Sequence, residues 1–117
     1  MILIVGASSG IAEKKSQIRT FKQIYAINSS YKFLIDNGFS VAALIIGDRR
    51  FYSQIDLSYL TKVQKIITYD TAITKEIYES LEKYTKIEVY KNLGRDGFSL
   101  SPEKGFYHGC SSFFLAI

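Results

Sequence analysis

Short apolar, β-branched runs alternate along this chain with stretches of helical periodicity. Five runs predict strands, at residues 2–5, 23–27, 41–46, 65–69 and 87–90. The first three are continuous apolar runs, which are typical of buried parallel strands. The last two are shorter, and we expect them to lie nearer an edge of the sheet.

Helical patterns fill the intervals between these runs. Residues 30–37 place Tyr31, Leu34 and Ile35 at helical spacing, and Asn37-Gly38 supplies a stop. Residues 74–84 carry apolar side chains on one face and charged side chains on another. Strands that alternate with helices indicate βαβ units. The sequence therefore predicts an α/β fold, a three-layer Rossmann-like parallel sheet of about five strands with flanking helices.

The pattern changes after the last predicted strand. Residues 91–108 contain three glycines and the chain's one proline, which predicts a long loop. A short apolar helix is expected after it, and the sequence ends inside that apolar run. Residues 1–117 are thus predicted to form a single nucleotide-binding domain, and we expect this domain to continue beyond Ile117.

The composition argues against several classes of protein. One cysteine and one histidine in 117 residues exclude an internal disulfide and a His/Cys metal cluster. The net charge of +4 comes from scattered lysines, which argues against a nucleic-acid surface. No apolar run is long enough to span a membrane, and the N-terminus lacks the basic region of a signal peptide. A cytoplasmic protein is the resulting expectation, with homo-oligomerisation left open.

The loop after the first strand is the strongest candidate site. Small residues there let backbone N–H groups approach a phosphate, and a following helix would add partial positive charge. The candidates are Gly6, Ala7, Ser8 and Ser9. A tight turn without a ligand is the alternative interpretation.

Polar residues also follow the second and third strands. Asn28 could bind a base or ribose through its amide while Ser29 or Ser30 caps the next helix, although capping alone would explain this segment. Gly47 and Asp48 follow the third strand, with Arg49 and Arg50 behind them. Arginine suits phosphate binding, but Asp48 as a helix cap beside surface arginines is the alternative.

A second small-residue turn lies near the end of the chain. Gly109, Cys110, Ser111 and Ser112 are candidates for an anion-binding helix start. His108, just before this turn, is a weak catalytic candidate, because a lone histidine is more often structural than catalytic.

Two resemblances extend these hypotheses. The string GASSGI resembles the opening loop of short-chain dehydrogenases over residues 6–12, which would imply an NAD(P)-dependent oxidoreductase. The chain departs from that family at Ala12, where a glycine is usual, and at Asn28, where an acidic residue would bind the ribose.

The broader resemblance rests on two segments, ILIVGASSG with the following QIYAINSSYKFLIDNG, and GFSLSPEKGFYHGCSSFFLAI. They resemble the N-terminal part of the domain shared by bacterial motility accessory factors and archaeal hydroxymethylpterin diphosphokinase-like proteins, similar in fold to bacterial lipooligosaccharide sialyltransferases. The family's Gly-Pro-Ser is replaced here by Ser8-Ser9-Gly10.

That resemblance implies a transferase that binds a CMP- or UDP-linked nucleotide sugar as donor and a surface glycan or flagellin as acceptor. It implies that Gly6, Ser8 and Ser9 line the phosphate loop, that Asn28 contacts the nucleotide, and that residues 109–112 form a second binding turn. Pterin diphosphokinase-like chemistry with Mg²⁺, for which Asp48 and Asp70 are the strand-end acids, and a non-catalytic binding module are the further alternatives.

Overall fold

The structure is a computed structural model that describes residues 2–6, 18 and 21–91. Five strands, a 3₁₀ helix and three α-helices have the following bounds: β1 Ile2–Val5, β2 Gln23–Ile27, α1 Ser30–Asp36, β3 Ala43–Ile46, the 3₁₀ helix Arg49–Gln54, α2 Leu57–Leu60, β4 Lys65–Tyr69, α3 Lys75–Leu81 and β5 Lys86–Tyr90. The predicted α/β class, with a five-stranded parallel sheet and flanking helices, is confirmed.

All neighbouring strands are parallel, and they lie side by side in the order β1-β2-β3-β4-β5. Each crossover therefore steps across the sheet in the same direction. Because such crossovers are right-handed, this order places α1, α2 and α3 on one face. The observed packing agrees, since α1, α2 and α3 all contribute side chains to the same core cluster.

The helix-covered face forms the larger core. Leu44 and Ile46 of β3 and Ile66 of β4 are fully buried there against Leu34 of α1 and Leu60 of α2. Tyr31 is also fully buried. Its ring makes an edge contact with Phe51, with the ring centroids 6.3 Å apart, and its hydroxyl accepts a hydrogen bond from the Asp56 N–H at 3.1 Å. Through these contacts, Tyr31 of α1 holds the segment that follows β3 against the core.

The opposite face carries a smaller apolar cluster around Ala43, Ile45, Ile67 and Tyr69. In the part of the chain that the structure describes, no α-helix contributes to this cluster. The described residues thus form two layers, the sheet and the helices on one face of it, and they contain no element of the predicted third layer.

Local signals in the sequence explain where the helices begin and end. Thr74 caps α3 by accepting a hydrogen bond from the Ile77 N–H at 3.2 Å. After α1, Gly38 adopts φ 82°, and the Phe39 N–H donates to the Leu34 carbonyl at 2.9 Å. The predicted stop at Asn37-Gly38 is confirmed, because glycine adopts this left-handed conformation without strain.

Two sequence expectations need correction. We expected β1 to be buried, but among the described strands it pairs only with β2, at one end of the order, and Ile2 is 45% exposed. The sequence pattern also missed the 3₁₀ helix and α2. Both are short and begin at aspartate caps, Asp48 and Asp56, rather than showing a long apolar period.

Candidate functional site

The loops that leave β2 and β3 border an open cleft at the carboxyl edge of the sheet. Its volume is about 420 Å³, and it is lined by Asn28, Ser29, Asp48, Arg50, Phe51 and Gln54. A cleft of this size falls in the range of small-molecule sites. In parallel α/β sheets, ligands bind outside the carboxyl ends of the strands.

Asn28 occupies the first position after β2. Its backbone has φ 52°, a left-handed conformation that asparagine tolerates better than most residues, and its N–H donates to the Ile45 carbonyl at 3.2 Å. Within the described structure, the side-chain Oδ1 is buried and has no hydrogen-bond partner. Such a buried acceptor costs about 1–3 kcal/mol. A ligand group that donates to this oxygen would remove that cost.

The two serines after Asn28 have different roles. Ser29 stands at the N-cap position of α1, but its side chain makes no capping bond. The Ser30 hydroxyl lies 2.9 Å from the Val5 carbonyl and 3.0 Å from the Ile27 carbonyl, and so joins the ends of β1 and β2. The expectation that one of these serines caps the helix is therefore wrong, because Ser29 accepts no N–H bond and Ser30 lies inside the helix, where its hydroxyl donates to strand carbonyls.

Asp48 and Arg50 form a compact ion pair on the β3 side of the cleft. Asp48 caps the 3₁₀ helix by accepting from the Arg50 N–H at 2.9 Å, and the Arg50 Nη2 donates to Asp48 Oδ2 at 2.7 Å. The side-chain hydrogen bond from Arg50 lowers the pKa of Asp48 from 3.8 to about 2. The interpretation of Asp48 as a cap is confirmed, and Arg50 is a surface residue whose side chain is 89% exposed.

Arg49 ties neighbouring loops together. Its Nη2 donates to the Thr71 carbonyl at 3.1 Å, which links the loop after β3 to the loop after β4. The bond is exposed, so its guanidinium retains other N–H groups for an anionic ligand.

Gly6 ends β1 and is exposed. A Cβ built at this glycine meets no atom within 4 Å, and its φ lies outside the left-handed region. The described residues therefore give no steric reason for glycine here. Any requirement for it would come from a ligand that approaches the backbone closely.

Most of the other predicted site residues lie outside the described residues. These are Ala7, Ser8 and Ser9 of the first loop, and His108, Gly109, Cys110, Ser111 and Ser112 of the second turn. The cleft brings together Asn28 and Asp48 from the predicted set, and Gly47 lies beside it in sequence, directly before Asp48.

Sequence reasoning missed three residues of this region. Phe51 and Gln54 line the cleft from the 3₁₀ helix, and Tyr52 lies between them in the chain. Burial raises the pKa of Tyr52 to about 12. The nearby Thr68 hydroxyl lowers this pKa in part, but it donates its proton to the Ile46 carbonyl at 2.8 Å, and the buried Tyr52 hydroxyl makes no well-formed hydrogen bond in the described structure.

The described residues offer little to a metal ion. They contain no group of three or more histidine, cysteine, aspartate or glutamate side chains that could hold one. Asp48, one of the two strand-end acids, already uses both carboxylate oxygens to bind Arg50. The Mg²⁺ hypothesis gains no support here.

Comparisons with protein-family models, curated proteins and solved structures give no match to this chain. The resemblances to motility accessory factors and to short-chain dehydrogenases therefore stay predictions. Within the described ranges, none of the helices has the length and apolar character needed to cross a membrane.

Proposed function

We propose that this chain is a nucleotide-binding domain whose ligand lies in the cleft between the ends of β2 and β3. The observation that carries the proposal is Asn28, which lines that cleft and whose buried Oδ1 has no hydrogen-bond partner among the residues that the structure describes. Natural structures rarely leave a buried acceptor without a donor. The absent donor is the group that we assign to the ligand.

Nucleotides supply suitable donors on both of their polar parts. The amine of cytosine, the N3–H of uracil and the ribose hydroxyls can each donate to a side-chain carbonyl. The cleft also has an apolar wall, formed by Phe51, which is 9% exposed. A flat base or sugar ring fits between an apolar wall and one oriented acceptor.

The positive side of the cleft suits the phosphates of such a ligand. Arg50 is highly exposed, and its bonds to Asp48 use Nε and Nη2. Its other terminal nitrogen can contact a phosphate oxygen while Asp48 holds the guanidinium in place. In this pair, Arg50 supplies the positive charge and Asp48 holds the guanidinium in one orientation.

The chemistry that we attach to this site is transfer from a CMP- or UDP-linked sugar to a glycan or flagellin acceptor. The resemblance of the chain to motility accessory factors and sialyltransferases supports that assignment. Asn28 in place of an acidic residue after β2 favours it over dinucleotide binding, because an acid at this position would bind the ribose of NAD.

Calorimetric titration of the 117-residue chain with CMP, UDP and NAD tests this proposal. We expect CMP or UDP to bind and Asn28→Gly to weaken that binding about tenfold or more, which corresponds to about 1.4 kcal/mol. Glycine keeps the left-handed backbone accessible, so the variant removes the amide alone.

Asn37→Gly is the matched control. Asn37 directly follows α1, as Asn28 directly follows β2. Its amide, however, donates to the Phe33 carbonyl at 2.7 Å, and Asn37 does not line the cleft. Equal losses in both variants, binding of NAD alone, or no binding of any of the three compounds would each contradict the proposal.

A further inference from the structure

The turn that ends α1 contains an asparagine–glycine pair, which takes no part in the proposed cleft. Asn37 directly follows the helix, and Gly38 comes next. Of the three asparagines in the sequence, Asn37 precedes glycine, whereas Asn28 precedes serine and Asn92 precedes leucine. The backbone nitrogen of the following residue can attack an asparagine side chain. Glycine leaves that nitrogen the most accessible, because it has no side chain.

This attack converts the side-chain amide into an acid. The Gly38 nitrogen adds to Cγ of Asn37, so that an N–Cγ bond forms and the Cγ–Nδ2 bond breaks. Ammonia leaves with the proton of the Gly38 amide, and a cyclic imide remains. Water from the solvent then opens either carbonyl of the imide, which yields aspartate or isoaspartate. Water is thus the co-reactant of the step.

The folded turn holds the backbone of Asn37 in a conformation that opposes ring closure. The imide requires the Gly38 nitrogen to be nearly eclipsed with the Cα–Cβ bond of Asn37. The observed ψ of 15° instead places that nitrogen nearly eclipsed with the nitrogen of Asn37 itself. The Gly38 N–H also donates to the Ile35 carbonyl at 3.1 Å. Ring closure therefore needs a large rotation about the Cα–C bond of Asn37, which would break this hydrogen bond.

Further hydrogen bonds hold the same turn against the core. The Asn37 Nδ2 donates to the Phe33 carbonyl at 2.7 Å, one helical turn back. The Phe39 N–H donates at 2.9 Å to the carbonyl of Leu34, whose side chain is fully buried. The attack on Cγ requires the end of α1 to open and these bonds to break. Such local unfolding costs free energy, so the reactive conformation is rare in the folded chain.

We propose that Asn37 is a site of spontaneous deamidation, which the folded chain suppresses and the unfolded chain undergoes. The aspartate product weakens the turn in two ways. The amide that donates to the Phe33 carbonyl becomes a carboxylate, which only accepts hydrogen bonds at neutral pH. Its negative charge also lies at the C-terminal end of α1, where the helix macrodipole disfavours an anion.

The isoaspartate product changes the backbone as well. The main chain then runs through Cβ and Cγ of this residue, which adds one carbon before Gly38. The φ of 82° at Gly38 and the hydrogen bond from Phe39 to Leu34 depend on the normal spacing of the turn. Both products therefore destabilise the end of α1. A chain that stays unfolded long enough to react returns to a less stable fold, and water does not reverse the change.

Peptide mapping by mass spectrometry of the full chain tests the proposal. The chain is kept at mildly alkaline pH, folded or unfolded in guanidinium chloride, and the acid formed at each asparagine is followed over time. We expect Asn37 to react about tenfold faster or more in the unfolded chain, and faster there than Asn28 and Asn92. Equal rates at Asn37 in the two states would overturn the proposal. So would an unfolded chain in which Asn28 or Asn92 reacts as fast as Asn37.

The effect of the product on stability is measured with Asn37→Asp. At low ionic strength we expect its melting temperature to fall below that of the wild type and below that of Asn37→Gly. The glycine variant is the matched control, because it removes the same donor without adding a charge. Added salt should narrow the difference between the two variants. A melting temperature for Asn37→Asp equal to the wild type, or no lower than that of Asn37→Gly, would overturn the destabilising effect.

Discussion

Two regions near the carboxyl edge of the sheet differ in whether their buried polar groups are hydrogen-bonded. The hydroxyls of Ser30, at the start of α1, and of Thr68, in β4, donate to strand carbonyls at 2.8 to 3.0 Å. In the segments that follow β2 and β3, the Asn28 Oδ1 and the Tyr52 hydroxyl are buried without a partner in the described structure. The first pair of residues stabilises the chain itself, and the second pair reduces its stability.

This difference separates residues that maintain the fold from residues available to a ligand. A buried group without a partner costs free energy in every folded molecule. Such a cost clusters where a protein binds or reacts, because a ligand can remove it there. The comparison predicts that substitutions in the two regions have different effects on stability and binding.

The largest effect concerns Tyr52 at alkaline pH. Its pKa is about 12 in the folded protein and 10.0 without burial, so its contribution to stability is present below pH 10 and is lost as the pH rises toward 12. The two pKa units correspond to about 2.7 kcal/mol. Urea unfolding across this range should show a smaller loss for Tyr52→Phe than for the wild type. Parallel curves would show that this hydroxyl is hydrated.

Ser30→Ala should follow in magnitude. The change leaves the Val5 and Ile27 carbonyls without their donor, so the free energy of unfolding should fall by about 1–3 kcal/mol. Ser29→Ala, one residue away and without a capping bond, should leave it within about 0.5 kcal/mol. Denaturant titration of both variants measures the difference. If the two variants lose the same amount, the tie between β1 and β2 is not what stabilises this region.

Asn28→Gly should have a smaller effect on stability than Ser30→Ala. It removes a buried acceptor that has no donor and relieves the left-handed backbone, while glycine adds flexibility to the unfolded chain. We expect the free energy of unfolding to change by less than about 1 kcal/mol. A loss of several kcal/mol in thermal or urea unfolding would show that the amide supports the fold, and would remove the contrast with Ser30.

Asp48→Asn should produce the smallest effect, because the Asp48–Arg50 pair is exposed. The pKa of Asp48 is lowered to about 2, so its contribution is present above 3.8 and is lost as the pH falls toward 2. The melting temperature of the wild type should therefore drop slightly more than that of the variant over this range, and added salt should reduce the gap. Identical acid profiles at low salt would show that this pair contributes nothing to stability.

The sequence predicted the α/β class because each strand is an apolar run between helical patterns. Residues 41–46 became the centre of the sheet, with every residue buried. The position of β1 could not be predicted in this way. Its four apolar residues fit a buried central strand, and only the pairing of all five strands puts it at an edge.

The candidate site was predicted in part for a similar reason. Asn28 and Asp48 were identified because they follow strands directly, where parallel sheets collect polar ligands. Phe51 and Gln54 come from a 3₁₀ helix that has no extended apolar period. The lack of a partner for the Asn28 oxygen depends on the packing around it, which no local pattern records.

The strictly sequential strand order also governs how the chain can fold. Partner residues on neighbouring strands are separated by 18 to 22 positions. No pairing must wait for a distant segment, so loop closure is inexpensive at every step. The strand order therefore allows each described strand to dock on the one before it in the order of synthesis.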